Sequence, residues 1–168
     1  MKLLEPHNGA KVSLQTKVQK ELIERIQVSG ITTALEWLQT FKKQQELSYP
    51  EPVRFLWETR EEEALLEISE TPGFENAKKV CVKGNNWTEE NLLIGHTYFW
   101  RVNGSEPFCF ETECACPRFI RVDGVLNVRD LGGGKIRQGI VYRGSELNGY
   151  FNISEEGKKV FKEQLNIK

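Results

Sequence analysis

Histidine is scarce in this sequence: of its 168 residues only His7 and His96 are of that type. They stand far apart and neither belongs to a metalloprotease pattern, so both read as surface residues. The four cysteines, Cys81, Cys109, Cys114 and Cys116, lack the paired Cys-x2-Cys knuckles of a zinc site and have no histidine close by. A Cys114–Cys116 disulfide would close a strained ring. All four are expected to be ordinary thiols, in keeping with a reducing compartment. No apolar run approaches the ~20 residues that a membrane span needs, and Met1-Lys-Leu-Leu-Glu-Pro is too poor in apolar residues for a secretory signal. The expected location is therefore cytoplasmic, the alternative being a secreted protein whose signal peptide has been removed. Gly132-Gly-Gly-Lys135 lacks the Gly-x4-Gly-Lys-(Ser/Thr) spacing of a nucleotide loop. No metal, no cofactor and no membrane partner are expected.

An excess of one charge is also missing, since the formal net charge is −1. Its distribution is nevertheless uneven. Residues 1–117 hold 13 Lys/Arg against 18 Asp/Glu, and residues 118–168 hold 10 against 6. The sign changes near residue 117. A positive field of this size suits a small anionic ligand and falls well short of a nucleic-acid footprint, so no nucleic-acid partner is expected.

What is present is patterned. Residues 9–15 alternate Val12 and Leu14 with polar neighbours, the period of a half-buried strand. Thr16-x-x-Gln19 is a capping box opening a helix with Val18, Leu22, Ile23 and Ile26 on one face, stopped by Ser29-Gly30. Thr33-x-x-Glu36 predicts a second helix with Ile31, Ala34, Leu35, Leu38, Phe41 and Trp37 on its apolar side. After Pro50 and Pro52 the period becomes two: Val53–Glu58, Ala64–Ser69, Lys79–Gly84, Leu93–Val102 and Phe108–Thr112 all read as strands, with Thr71-Pro-Gly-Phe as a turn. Tyr98, Trp100 and Val102 share a face, as do Val53, Phe55 and Trp57, and Phe108, Phe110 and Thr112. Many short strands separated by turn signals predict a sandwich in which Tyr98, Trp57, Trp100, Phe55 and Phe110 share one core.

The C-terminal third differs. Val125-Leu-Asn-Val and Ile140-Val-Tyr read as two short strands of a hairpin, and the segment from Asp130 to Gly139 carries four glycines that allow a positive-φ turn. Arg129, Asp130, Arg137 and Arg143 crowd this segment beside Asn127 and Ser145. On composition it is a solvated hairpin with surface ion pairs of little individual weight. Ser154, followed by Glu155 and Glu156 and then Lys158, Lys159 and Lys162, predicts a capped last helix with Val160, Phe161 and Leu165 inward.

Two resemblances cover these segments. Leu93-x-Gly-x-x-Tyr98-x-Trp-x-Val102, with the inward Trp57, resembles a fibronectin type III domain, in which an equivalent Tyr hydrogen-bonds back across a corner; the helical insertion at about 16–48 departs from that module. Asn127, Arg129, Asp130, Leu131, Gly132 and Gly133, then Gly139, Tyr142, Arg143, Gly144 and Leu147, resemble the opening of the bacterial tyrosine-phosphatase family related to the dual-specificity enzymes. That opening reads Asn-x-Arg-Asp-Leu-Gly-Gly followed by Gly-x-x-Tyr-Arg-(Ser/Gly)-x-x-Leu. The second resemblance covers only the last ~50 residues and places Asn166-Ile-Lys at the entrance of the family's next strand.

The implied architecture is mainly β. A fibronectin type III/immunoglobulin-like sandwich with a helical insertion spans 1–113, a linker 114–117, and the N-terminal part of a tyrosine-phosphatase-like α/β domain 118–168. The implied chemistry is phosphoester hydrolysis on a phosphorylated protein or another phosphoester, with Arg143, Arg129, Asp130 and Ser145 as phosphate-binding candidates and Trp57, Tyr98 and Trp100 as structural residues. Among the four, Arg143 ranks first. An Arg–Asp dipeptide on a strand sends its side chains to opposite faces, so Arg129 and Asp130 are expected to fix the hairpin first.

The family attacks phosphorus with the thiolate of a Cys-x5-Arg loop. Six residues after Cys81, Cys109, Cys114 and Cys116 stand Trp87, Ala115, Ile120 and Val122. No catalytic residue is therefore assigned, and the chain alone is expected to be inactive. The alternative reading is a non-enzymatic adaptor that binds a protein partner through the sandwich.

Overall fold

Alternating burial builds the first unit, which comprises Met1–Leu14 and Pro52–Cys114. In a computed structural model, which describes residues 1–29, 35–36, 39, 42–113, 117–149 and 151–167, its strands are β1 (Lys2–Glu5), β2 (Ala10–Val12), β3 (Val53–Glu58), β4 (Glu63–Ser69), β5 (Lys78–Lys83), β6 (Asn86–Glu89), β7 (Thr97–Val102) and β8 (Phe108–Thr112). They form two sheets, in the orders β1-β3-β6 and β2-β8-β7-β4-β5. All pairings are antiparallel except β2 with β8.

The inward parity of β3 buries Val53, Phe55 and Trp57, and that of β7 buries Tyr98, Trp100 and Val102. These residues belong to one core cluster with Phe110, Leu66, Ile68 and Val82. Phe55 meets Trp100 and Phe110 edge-on, with ring centroids 5.2 and 5.8 Å away, the geometry that aromatic quadrupoles favour. The Trp100 indole N–H, buried with its ring, donates to the Pro6 carbonyl at 3.2 Å. The strand expected over 93–102 is shorter, because Leu93–His96 is a turn. Its geometry is fixed by Tyr98, whose hydroxyl accepts the Leu93 backbone N–H at 3.0 Å. Tyr98→Phe removes that acceptor and keeps the ring. We expect a loss of about 1–2 kcal/mol in urea denaturation, the cost of a partly buried N–H left without a partner; an unchanged midpoint would mean that water replaces the hydroxyl freely.

The second unit comprises Gln15–Glu51 and Ala115–Lys168. The helical segment expected as an insertion of the sandwich thus packs with the C-terminal residues. Helix α1 (Lys17–Ser29) opens with the anticipated capping box: the Gln19 N–H donates to Thr16 Oγ1 and the Thr16 N–H to Gln19 Oε1, both at 3.2 Å. Gln19 is fully buried, and its amide also donates to the carbonyls of Leu47 and Tyr49. It thereby ties α1 to the 3-10 turn Gln45–Ser48. Leu22, Ile23 and Leu47 then close over Phe119. Val18, expected on the apolar face, is instead 37% exposed. The second expected helix falls largely outside the described residues, which exclude Thr33, Ile31, Ala34, Trp37, Leu38 and Phe41; positions 35, 36, 39, 42 and 43 are helical. Most of the expected linker, with Cys114 and Cys116, is likewise outside them.

The remaining elements of this unit are the two-residue strands β9 (Arg118–Phe119), β10 (Arg129–Asp130) and β11 (Tyr142–Arg143), and α2 (Glu155–Lys159) continued by a π-helical turn, Val160–Gln164. Ser154 caps α2 by accepting the Gly157 N–H at 3.1 Å. Leu165 is buried, with Val160 and Phe161 packed beside it, against Ile120, Val122, Val125 and Val128. The strand expected at 125–128 is not one. Asn127 takes φ 53°, a conformation asparagine tolerates better than β-branched residues, so the chain turns there and enters β10 only at Arg129. Among the described residues no helix is long and apolar enough to cross a membrane.

Candidate functional site

Three short strands hold Arg129, Asp130 and Arg143, three of the four phosphate-binding candidates. The sheet runs β11-β10-β9, and its register sets Arg118, Asp130 and Tyr142 side by side in one row and Phe119, Arg129 and Arg143 in the other. Successive residues of a strand face opposite sides, so the two rows lie on opposite faces.

The first row is internal. Asp130 is fully buried and Arg118 is 4% exposed. One carboxylate oxygen of Asp130 accepts Arg118 Nη2–H at 2.8 Å, Arg118 Nε–H at 3.2 Å and the Gly139 backbone N–H at 2.7 Å. The other oxygen accepts the Gly132 N–H at 2.8 Å. A single carboxylate thereby closes the loop from 131 to 139 at both ends. Glycine at 132 follows from this closure, because a Cβ there would stand 2.5 Å from the Gln138 Cα and 2.6 Å from the Arg137 carbonyl oxygen. Beside this pair, burial pushes the Tyr142 hydroxyl pKa up, against the opposing pull of Arg118.

The second row is cationic toward its edge. Phe119 is buried, Arg129 is partly buried and Arg143 is exposed. Desolvation, and then the charge of Arg143, hold the Arg129 guanidinium pKa below its usual value. Among the described residues neither arginine forms an ion pair with a carboxylate.

The phosphate-binding candidates therefore separate. Arg129 and Arg143 come together, whereas Asp130 faces away from them with both oxygens engaged inside the hairpin. Ser145 serves the backbone: its hydroxyl accepts the Leu126 N–H at 3.0 Å and donates to the Glu146 carbonyl at 3.3 Å, while its own N–H donates to the Leu126 carbonyl at 2.9 Å. Nor is the hairpin a set of solvated ion pairs, since its central pair is buried. Trp57, Tyr98 and Trp100 lie in the core of the first unit.

Sequence reasoning missed Arg118, although it shares parity with the inward Ile120 and Val122, and that alternation was a usable signal. It also missed Tyr49, whose hydroxyl donates to Asp123 at 3.3 Å under the guanidinium of Arg121. Burial and the Asp123 charge push that hydroxyl pKa upward. Cys81 is exposed on β5, and Cys109 on β8 is partly buried, its N–H donating to Asn8 Oδ1 at 2.9 Å. No family model, curated protein or solved structure matches the chain.

Proposed function

We propose that this chain is the N-terminal region of a bacterial tyrosine- or dual-specificity-phosphatase-like protein, a fibronectin type III-like sandwich joined to the opening of the catalytic domain. The observation that carries this reading is the Asp130 network. It gives two residues of Asp-Leu-Gly-Gly a task, Asp130 as the anchor and Gly132 as the close approach, and adds Gly139, beyond that run, as the second donor. The sandwich half is supported by the sheet orders, with β1, β3 and β6 in one sheet and β2, β8, β7, β4 and β5 in the other, and by the Tyr98 hydroxyl bonded across its corner. The substrate class is a phosphoester on a phosphorylated protein or a related molecule, hydrolysed by a cysteine loop that these 168 residues do not contain.

Without a thiolate in a phosphate-cradling loop there is no phospho-cysteine intermediate, and arginines alone cannot replace that covalent route. The chain should turn over a small aryl phosphate only at background rate. Serine at Cys81, Cys109, Cys114 and Cys116 should leave that rate unaltered, and hydrolysis abolished by any one of these changes would refute the assignment. Reading the open reading frame past Lys168 for His-Cys-x5-Arg separates the proposal from its rival. The rival is an adaptor that binds a protein partner through the sandwich, and what favours it is the lack of any Cys-x5-Arg here.

A further inference from the structure

Aliphatic side chains crowd one exposed loop. Residues 131–139 leave the sheet after Asp130 and return to it at Gly139, and all of them are exposed except Gly132 and Gln138. Leu131 and Ile136 are each 46% exposed, and Ile140, which follows directly, is 54% exposed, with Val141 beside it. Single exposed aliphatics are ordinary, whereas several gathered on one short segment mark a surface that something covers. The loop holds them in place. Asp130 binds the Gly132 and Gly139 N–H groups, the Gly133 N–H donates to the Ile136 carbonyl at 3.0 Å, and the Leu131 N–H donates to the Val141 carbonyl at 2.9 Å. Its charge is of one sign. Residues 131–141 contain no Asp or Glu, and Lys135 and Arg137, both exposed, flank Ile136. Neither is in an ion pair among the described residues.

We propose that this loop docks on an anionic lipid surface, with Ile136 entering the apolar layer and Lys135 and Arg137 among the headgroups. The long stems of lysine and arginine reach back from apolar surroundings to water, so the two cations can flank an inserted side chain. A fluid bilayer conforms to an exposed loop, whereas a protein partner has to bring a matching groove. Nor does the neighbouring edge strand favour a peptide, because β11 has two residues, too few for a partner strand to pair along. Each cation contributes about fivefold to partition onto an anionic surface, and burial of the isoleucine about tenfold or more. Among the described residues no helix can span a membrane, and surface docking requires none. The proposal rests on this loop and not on the phosphatase reading: a chain without turnover leaves it intact, and a chain that ignores lipid leaves that reading intact.

The test is co-sedimentation of the full chain with vesicles of phosphatidylcholine alone and of phosphatidylcholine with an equal part of phosphatidylserine. The chain should sediment with the anionic vesicles and stay in solution with the neutral ones, and added salt should weaken its binding. Ile136→Ser should weaken binding by about tenfold or more, and Lys135→Glu combined with Arg137→Glu should abolish it. Val28→Ser is the control, because Val28 is an 89% exposed aliphatic on α1, away from this loop in the chain, and binding should be unchanged. All four positions are exposed, so these variants keep the fold, which urea denaturation verifies. A chain that ignores anionic vesicles overturns the proposal. So does binding that survives Ile136→Ser undiminished, which would be charge attraction without insertion, or binding that Val28→Ser weakens equally. Binding to soluble poly-glutamate without binding to the anionic vesicles would overturn it in favour of an acidic protein surface.

Discussion

Trp57→Ala is expected to lower the stability of the first unit by about 3–5 kcal/mol, the range for truncating a large buried aromatic. Trp57 has no exposed surface and shares its core with Phe55, Trp100 and Phe110, each almost completely buried. Neighbours already in edge-to-face contact cannot close over a void of that size without giving up their own packing. The indole adds a second, discriminating outcome. Its Nε1 is buried and has no hydrogen-bond partner among the described residues, so Trp57→Phe gives up volume but no hydrogen bond seen there. That change should cost distinctly less than the alanine variant, and the exposed neighbour Glu58 should tolerate alanine within about 0.5 kcal/mol. Urea denaturation of the three variants reads the order directly. A midpoint that barely moves in Trp57→Ala would show that the stability of this unit resides elsewhere.

The sandwich was legible because a half-buried strand writes its period into the sequence. Five of the strands, β3, β4, β5, β7 and β8, carry at least two inward apolar residues at spacing two, and each was visible. The strands β1 and β6 were not. Each has four residues with a single buried one, Leu3 and Glu89, too short a run for a period to declare itself. The helical insertion shows a different limit. Thr16, Gln19, Leu22 and Ile23 announce a capped helix with a buried face, but amphipathicity does not name what covers that face. The covering residue is Phe119, about a hundred positions away along the chain. At the candidate site, the order Asn127, Arg129, Asp130, Leu131, Gly132, Gly133 was plain and the task of each residue was not. β-branched Val125 and Val128 suggested a strand, whereas Asn127 at φ 53° makes them flank a turn while both stay buried. Charge density suggested solvent, whereas Asp130 is internal because Arg118, twelve residues earlier, is buried with it.

Asp130→Ala should cost the second unit about 3–5 kcal/mol, because it strands the buried Arg118 guanidinium without its counter-charge. The loss should not be recovered by removing the charge on the other side as well. In a simple buried ion pair, replacing both partners with apolar residues is often neutral. Here the same carboxylate also accepts the Gly132 and Gly139 N–H groups, and both of those bonds are lost with it. Arg118→Met combined with Asp130→Leu should therefore remain destabilised, by about 1–3 kcal/mol for the lost bond to the buried Gly132 N–H and by less for that to the exposed Gly139. Arg118→Met alone, which leaves both glycine bonds in place, should keep the loop from 131 to 139 closed. Hydrogen exchange separates the two roles residue by residue. The Gly132 and Gly139 amides should be protected in the unmodified chain and in Arg118→Met, and exposed in every variant lacking the carboxylate. Protection that survives in Asp130→Ala would mean that the loop is closed by its own backbone and that Asp130 serves only Arg118.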